Sequence, residues 1–296
     1  MKNYLLFYLI VFAICIQGCK SKKDDIKAPV EPNYPKLIFK FKFDSNQVRL
    51  GNLGQPSNVG SGNAAISPVF QKMSAHYIEL ALTDYTALGG GAVLYKAKET
   101  SAGGSNAIDF DSSKVVGENE EFFSIALKDM TPGTYKWLRV SLAYQNYDIK
   151  YKYNYASVDY TAEGRLASFI GFKTYVRSYQ IQNMSETINA NKLQGYWGFE
   201  SFSTIYNGQA PPGATTVPNP IAGSSPIPAG SCVVTGQFAN NLTITGKETQ
   251  DIVVIVSLST NNSFEWTENN ADGWYQPDIG ETVVDMGIRG LIPIIQ

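Results

Sequence analysis

Residues 268–274 have the clearest metal-binding pattern in the chain, Glu-Asn-Asn-Ala-Asp-Gly-Trp. Oxygen-bearing side chains occupy alternate positions, at Glu268, Asn270 and Asp272, and a glycine follows them. Carboxylate and amide oxygens are the ligands that Ca²⁺ prefers, and glycine permits the sharp turn that brings them around one ion. The backbone carbonyl of Trp274 would add another oxygen. This spacing predicts a calcium site.

The residue that would close the calcium shell differs from the usual one. The spacing follows the first half of an EF-hand loop, but Ile279 stands where a bidentate glutamate would complete the coordination. Asp278 is the candidate for that role, and Glu281 and Asp285 are its alternatives. The competing interpretation is an ordinary hairpin turn, in which Asn, Asp and Gly serve only the backbone. Ca²⁺ is the one cofactor that the sequence indicates.

Aromatic side chains at every second position of predicted strands form the second candidate site. Exposed Tyr and Trp rings stack on sugar rings. We therefore expect a glycan or another ligand to bind on a platform built from Tyr151, Tyr153, Tyr155, Trp197 and Trp274, with Tyr144 and Tyr147 as further candidates. Tyrosines at this period are also typical of an ordinary sheet face, because aromatic residues favour strands. Packing within the sheet is the alternative.

Residues suited to catalysis are few. His76 is the single histidine, which excludes most zinc sites and leaves a Ser-His-Asp triad only if His76 is its base. His76 falls on the strand face of Ile78 and Leu80, so we expect a buried, hydrogen-bonded histidine. Cys232 has no His or Cys nearby in the sequence and is expected to be a small buried hydrophobe. The carboxylates are scattered, and we expect no enzyme activity.

The first residues of the chain indicate where the rest of it works. Lys2 precedes an apolar run of about a dozen residues, whereas a membrane-spanning helix needs roughly 20. The run ends in Ile-Gln-Gly-Cys at residues 16–19, which resembles the lipobox of bacterial lipoproteins cut by signal peptidase II. The resemblance implies a signal peptide over residues 1–18 and acylation of Cys19. Two or three acyl chains would hold the protein on a membrane, since each buried methylene adds about 0.8 kcal/mol.

Residues 19–35 are expected to form a lipidated, flexible tether. The run Lys-Lys-Asp-Asp at 22–25 resembles the tether that directs some Gram-negative lipoproteins to the outer face of the outer membrane. The alternative is that these charges only keep the tether solvated. Pro29, Pro32 and Pro35 indicate a stiff spacer. We therefore expect a lipid-anchored protein of the outer membrane, exposed at the cell surface.

Composition indicates a folded domain and excludes one class of partner. Hydrophobic residues make up 44% of the chain and charged residues 17%, which is typical of a globular protein. The formal net charge is −2 and no Lys/Arg stripe occurs, so we do not expect nucleic acid as a partner. With Cys232 alone in the domain, no internal disulfide can form.

Short alternating segments predict the fold class. Residues 37–43 place Leu37, Phe39 and Phe41 on one face and Lys40 and Lys42 on the other, as in a half-buried strand. Further strands are predicted over residues 76–82, 91–95, 122–127, 135–145, 148–160, 166–182, 193–202, 232–245, 251–258 and 263–267. Six prolines exclude regular ladders from a loop at about 209–230. With no helical periodicity, residues 36–296 are expected to form an all-β, antiparallel β-sandwich with long loops.

A second resemblance concerns the order of the strands. The segments Leu37–Phe43, His76–Leu80, Thr131–Tyr135 and Phe169–Val176 follow an order similar to the MbnP-like β-sandwich family. This resemblance implies a sandwich. Copper binding in that family would call for histidine and tryptophan partners, and only His76 lies near the matching strand. We therefore carry over the fold and not the copper.

Three functions are compatible with these patterns. The leading expectation is a non-catalytic binding module of the cell envelope, for a glycan, a small ligand or a partner protein. A structural or assembly lipoprotein without a small ligand would have no deep pocket and a broad apolar or aromatic patch. A hydrolase of envelope or dietary polymers would place paired carboxylates across one cleft.

Overall fold

A computed structural model of the protein describes residues 34–51, 54–83, 85–210 and 225–296. Cys19, the signal peptide, nearly all of the tether and the middle of the proline-rich loop lie outside the described residues. Within these ranges no helix has the length and apolar composition needed to cross a membrane. Three short 3-10 turns, at Phe110–Ser112, Leu127–Asp129 and Pro277–Ile279, are the helical elements there.

The described part of the chain contains eighteen strands, and the expected all-β class is confirmed. They are β1 (Lys36–Asp44), β2 (Asn63–Ile66), β3 (Val69–Ala81), β4 (Ala92–Lys96), β5 (Glu99–Thr100), β6 (Ala107–Asp109), β7 (Glu121–Ala126), β8 (Gly133–Tyr155), β9 (Val158–Phe169), β10 (Lys173–Gln180), β11 (Ser185–Leu193), β12 (Tyr196–Ser201), β13 (Thr204–Gln209), β14 (Cys232–Ile244), β15 (Ile252–Ser259), β16 (Phe264–Thr267), β17 (Val283–Met286) and β18 (Leu291–Ile295).

The 23-residue strand β8 lies in the middle of the largest sheet and pairs with three other strands. The order of this sheet is β13-β12-β9-β8-β3-β4, and β14 also pairs with β8. One edge of β8 pairs first with β14, over residues 133–142, and then with β9, over residues 144–155. The opposite edge pairs with β3 over residues 137–148. The last seven residues of β8 therefore extend beyond β3.

Three smaller sheets complete the architecture, in the orders β18-β15-β1-β7, β11-β10-β6-β5 and β17-β16-β2. Most pairs are antiparallel and the curled sheets are consistent with the expected β-sandwich. Two pairs differ from the expectation, because β1 runs parallel to β15 and β6 runs parallel to β10. Pro293 occupies β18, an edge strand, where a missing backbone donor is tolerated.

The main core lies where β1 meets the large sheet. Leu37, Phe39 and Phe41 are fully buried, as the alternation of β1 predicts, and pack with residues such as Leu138 and Trp266. Cys232 is a buried cysteine outside any disulfide and lies in the same cluster, in agreement with the expected small hydrophobe. Residues 34–296 form one compact unit, so the domain has its own core.

Several predicted strand boundaries are wrong. Residues 135–145 and 148–155 belong to the single strand β8, and residues 158–160 already belong to β9. The segment 166–182 is divided between β9 and β10. β8 continues through residues 146 and 147 without a turn, whereas the real turn at Ala156-Ser157 lacks a strong turn sequence. Gln209 ends β13, and the proline-rich segment follows it in the sequence.

Two tight hairpins shape the region of the candidate site. The turn between β8 and β9 consists of Ala156 and Ser157, with φ of 51° and 64°. The turn between β12 and β13 consists of Phe202 and Ser203, with φ of 50° and 54°. Two-residue hairpin turns of this hand need positive φ at both positions, which glycine and asparagine adopt most readily. A bulky Phe202 in this conformation is strained.

Buried glutamates fix three loops to the sheets. Glu79 accepts hydrogen bonds from the backbone N–H groups of Gly89 (2.7 Å) and Gly91 (2.9 Å). Glu200 accepts them from Gln182, Asn183 and Met184, at 2.8 to 3.1 Å. Glu265 accepts them from the backbone of Gly60 (2.8 Å) and from the Asn63 amide (2.7 Å). In a domain without a disulfide, such hydrogen-bonded carboxylates restrain long loops.

Candidate functional site

An aromatic cavity of about 650 Å³ lies against one face of the β8–β9–β12–β13 part of the large sheet. Eight of its lining side chains are aromatic: Tyr151, Tyr153, Trp197, Phe199, Phe202, Tyr206, Phe264 and Tyr275. Its other lining residues include Ile149, Leu166, Val283 and Met286, and the polar Gln209, Glu281 and Thr282. The cavity is therefore largely apolar and rich in rings.

The sheet supplies the floor of this cavity through cross-strand rows. Leu166, Phe199 and Tyr206 lie opposite one another on β9, β12 and β13, and so share a face. Glycines let the rings lie close to the backbone, because a Cβ added at Gly164 would come within 2.2 Å of the Phe199 ring. Likewise, a Cβ at Gly208 would lie 2.8 Å from the Trp197 ring.

The segment between β16 and β17 forms the opposite wall. It covers the end of β8 that extends past β3, where the backbone N–H of Lys152 donates to the carbonyl of Tyr275 (2.9 Å). The backbone N–H of Asn154 donates to the Asp278 carboxylate (2.7 Å). These bonds satisfy an otherwise open strand edge and place Tyr275 and Glu281 on the cavity.

Glu281 is the single acidic residue among the described residues that line the cavity. It is 5% exposed and accepts hydrogen bonds from the backbone N–H groups of Asn269 (3.1 Å) and Gln276 (2.6 Å). Burial raises the pKa of its carboxyl group, and the neighbouring Glu268 carboxyl raises it further. The wall of the cavity thus contains a carboxyl group whose pKa lies above its usual range.

Each predicted metal ligand with a side-chain oxygen already has a protein partner. Asp272 pairs with Lys152, whose hydrogen bond lowers the pKa of the Asp272 carboxyl, and accepts the backbone N–H of Trp274 (2.9 Å). Asn270 donates to the Gln276 side chain, and Asp278 accepts from Asn154. Glu268 accepts a long bond from the backbone of Asp272 (3.3 Å).

These contacts make residues 268–278 a hydrogen-bonded wall segment. In the described ranges, no group of three or more His, Cys, Asp or Glu side chains could hold a metal ion. Calcium binding by Glu268, Asn270, Asp272, Trp274 and Asp278 stays a prediction.

The predicted aromatic residues are divided between the cavity and other places. Tyr151, Tyr153 and Trp197 line the cavity. Tyr155 is 70% exposed at the β8–β9 turn, and the ring of Trp274 lies 5.7 Å from the Lys152 ammonium. Tyr144 and Tyr147, the further candidates, are buried in two separate hydrophobic clusters.

Sequence reasoning missed the residues that turn an open face into a cavity. Phe199 and Phe202 lie on the same short hairpin as Trp197, and Phe199 follows it at the period of a strand, which is a usable signal. The remaining lining residues belong to other segments of the chain, and the fold places them on the same cavity as Trp197. They include Tyr206, Tyr275 and Glu281.

His76 belongs to a separate buried site. Its ring is fully buried, its Nε2 forms a hydrogen bond with Glu99 Oε1 (2.9 Å), and it packs on Phe172 with ring centroids 5.4 Å apart. The expectation of a buried, hydrogen-bonded histidine is confirmed. Register shifts on both sides of Ala75 disrupt the alternation of β3 at this point.

The burial of His76 predicts a pH-dependent stability. Burial lowers the pKa of the imidazole below its ordinary 6.5, although Glu99 opposes the shift. The unfolded chain then binds a proton at higher pH than the folded one. We expect this contribution to stability to be complete above pH 6.5 and to be lost as the pH falls through the folded-state pKa.

NMR gives the direct measurement, because the chain has one histidine and therefore one imidazole Cε1–H signal. We expect that signal to titrate with a midpoint below 6.5 in the folded protein. A midpoint at or above 6.5 would contradict the assignment. In urea unfolding, His76→Gln should reduce the loss of stability between pH 7.5 and 5.5.

No family model, curated protein or solved structure matches this chain. The geometry of the cavity and the sequence features of the first residues are therefore the observations that bear on function.

Proposed function

We propose that this protein is a lipid-anchored, non-catalytic binding protein of the cell envelope, and that its cavity takes up a small ligand with an apolar, ring-bearing body. One observation carries the proposal: eight aromatic side chains surround a cavity of about 650 Å³. Ligand sites are typically concave and mainly apolar, with a few polar groups that orient the ligand. Their volumes are about 300–1,000 Å³, and the volume of this cavity lies in the middle of that range.

The lining favours an apolar small ligand over a glycan or a partner protein. A sugar ring presents hydroxyl groups around its edge, and each buried hydroxyl without a hydrogen bond is costly. Apart from tyrosine hydroxyls, the polar side chains on the cavity are Gln209, Glu281 and Thr282. A flat or branched apolar body would instead fill the space between the rings and gain burial free energy.

The arrangement of acids supports binding without catalysis. Hydrolysis of a glycosidic bond by the common mechanisms needs two carboxyl groups on opposite sides of the substrate. Among the described lining residues, Glu281 supplies one. The buried Glu79, Glu200 and Glu265 hold loops instead. A purely structural lipoprotein would not need the cavity.

The lipobox-like residues 16–19 support the location. Cys19 would carry the acyl chains, and β1 starts at Lys36, so a short tether would hold the domain near the membrane. The Lys-Lys-Asp-Asp run at 22–25 favours the outer face of the outer membrane. The proposed partners are thus the membrane, through the anchor, and the small ligand.

A substitution at Phe202 tests the proposed binding site, because its effect on ligand affinity can be distinguished from its effect on the stability of the domain. Phe202 is 67% exposed, lines the cavity and has φ of 50°, whereas Ser203 shares the strained turn but not the cavity. We expect Phe202→Gly to weaken binding of the neutral dye N-phenyl-1-naphthylamine about fivefold, or ~1 kcal/mol, because one ring contact is lost. The free energy of unfolding should change by at most about 1 kcal/mol, because relief of strain offsets the lost packing.

The measurement is dye fluorescence titration on residues 34–296, with urea unfolding in parallel. Ser203→Gly is the matched control and should leave the dye affinity unchanged. Absence of saturable dye binding by the wild-type domain, or equal affinities of wild type and Phe202→Gly, would contradict the proposed site.

A further inference from the structure

We infer that the ligand of the aromatic cavity is an organic cation, with its ammonium group beside Glu281 and its apolar body against the rings. This inference rests on the proposed function and specifies the ligand class. Three features of the described residues carry it: the carboxyl group on the cavity wall, the absence of a basic side chain from the lining, and the number of aromatic faces.

Glu281 has no cationic partner within the described part of the protein. Glu79 lies 3.4 Å from the Arg139 guanidinium, and Glu265 pairs with Arg49 and lies 3.8 Å from Arg289. Among the described residues, no Lys, Arg or His nitrogen lies within 4 Å of the Glu281 carboxyl group, which accepts two backbone N–H groups and shares a hydrogen bond with Glu268. Glu200 is also held by backbone N–H groups, but it does not line the cavity. Buried charges are normally paired. For Glu281, the cavity offers the space for a cationic partner.

A second carboxyl group lies beside Glu281. The Glu268 and Glu281 carboxyl groups are close enough to share a hydrogen bond. Two acidic side chains therefore meet at this wall, and no basic side chain among the described residues lines the cavity beside them. This arrangement favours a positively charged ligand.

The nearest basic side chains do not neutralise the cavity. Lys152 pairs with Asp272, and Arg165 forms two hydrogen bonds with Asp148, at 2.6 and 2.8 Å. Within the described ranges no Lys or Arg lines the cavity. An anionic ligand would therefore face a carboxylate without compensation, and a neutral ligand would leave Glu281 unpaired.

The rings favour a cation for an independent reason. The face of an aromatic ring carries partial negative charge and attracts ammonium groups, by about 0.5–2 kcal/mol per ring depending on desolvation. Tyr151, Tyr153, Trp197 and Tyr275 all line the cavity that contains Glu281. A ring-lined cavity with one carboxylate is the arrangement that recognises alkylated ammonium groups.

The test uses two probes of equal shape, phenyltrimethylammonium and tert-butylbenzene, which differ by a charged nitrogen in place of a carbon. Each displaces N-phenyl-1-naphthylamine from residues 34–296 at pH 8. We expect the cation to bind at least tenfold more tightly than the neutral probe. Glu281→Gln should reduce that ratio about tenfold without weakening tert-butylbenzene, because the charge is lost while the rings keep their own smaller preference for the cation. The exposed Glu163, outside the cavity lining, supplies the matched control Glu163→Gln, which should keep the ratio.

The outcomes separate the inference from the proposed function. Equal affinity of wild type for the two probes, or an undiminished preference in Glu281→Gln, would overturn the inference while dye binding still upholds the cavity as a site. Failure of the dye to bind would instead overturn the proposed function.

Discussion

Replacing Cys19 by serine is expected to move the protein from the membrane fraction to the soluble fraction. The hydroxyl group of serine cannot form the thioether that carries the lipid. Two or three acyl chains, at about 0.8 kcal/mol per buried methylene, bind a membrane almost irreversibly, so their loss should change the distribution completely. Mass spectrometry of the purified protein should show the corresponding loss of acyl mass.

Cys232 provides the control for the anchor experiment. It is the one cysteine of the sequence within the domain and is buried in the core, so Cys232→Ser should stay in the membrane fraction and keep its acyl mass. If Cys19→Ser and wild type share one mass and one fraction, the proposed anchor is wrong. The proposed location at the cell envelope would then be lost, although the binding tests of the cavity would remain valid.

Glu265→Gln is expected to destabilise the domain by about 3–5 kcal/mol, because it removes one partner of a buried charge network. The Glu265 carboxylate pairs with Arg49, and Arg289 lies 3.8 Å away. Burial opposes its charge, but hydrogen bonds from Asn63, Gly60 and Arg49 outweigh this and hold the pKa of Glu265 below its usual range. Without the carboxylate, the buried Arg49 guanidinium loses its ion-pair partner.

Urea unfolding at pH 7 measures this effect, and Glu163→Gln, an exposed substitution, should change the free energy of unfolding by less than about 0.5 kcal/mol. The difference between wild type and Glu265→Gln should shrink as the pH falls through the low folded-state pKa, because the wild-type carboxylate is then protonated as well. A loss below 1 kcal/mol at pH 7 would show that the network does not stabilise the fold.

The sequence predicted best where a local period decides the structure. In β1, apolar residues alternate with lysines, and the structure buries Leu37, Phe39 and Phe41 as expected. In β3 the alternation fails, since every residue from Met73 to Ala81 is buried and register shifts interrupt the pairing. A strand that is buried on both faces is mostly apolar on each of them, so its sequence does not alternate between apolar and polar residues.

The turns explain most of the misplaced strands. Ala156-Ser157 and Phe202-Ser203 form two-residue hairpins, although neither contains the Asn-Gly or Asp-Gly pair that marks such turns in a sequence. Cross-strand pairing over the rest of each hairpin outweighs the local cost of positive φ. The strand predicted over residues 148–160 therefore runs across the β8–β9 turn into β9, and β13, which follows the second turn, is not predicted.

The candidate site was predictable only as one face. Tyr151 and Tyr153 share a side of β8 by alternation, and Trp197 was found as an aromatic candidate. Whether such a face is open or covered depends on the β16–β17 segment, which brings Tyr275 and Glu281 opposite to it. No local pattern encodes contacts between residues so far apart in the chain.

The parallel pairing of β1 with β15 has a consequence for biogenesis. The backbone N–H of Lys36 donates to the Asp251 carboxylate, 215 residues later in the chain, at the start of this pairing. Contacts of such long range form slowly, because a large loop must close first. If the chain is exported as proposed, β1 has only β7 beside it until β15 leaves the secretion channel, and the sheet stays incomplete. Slow completion of this kind would keep a nascent polypeptide loose enough to be threaded across a membrane.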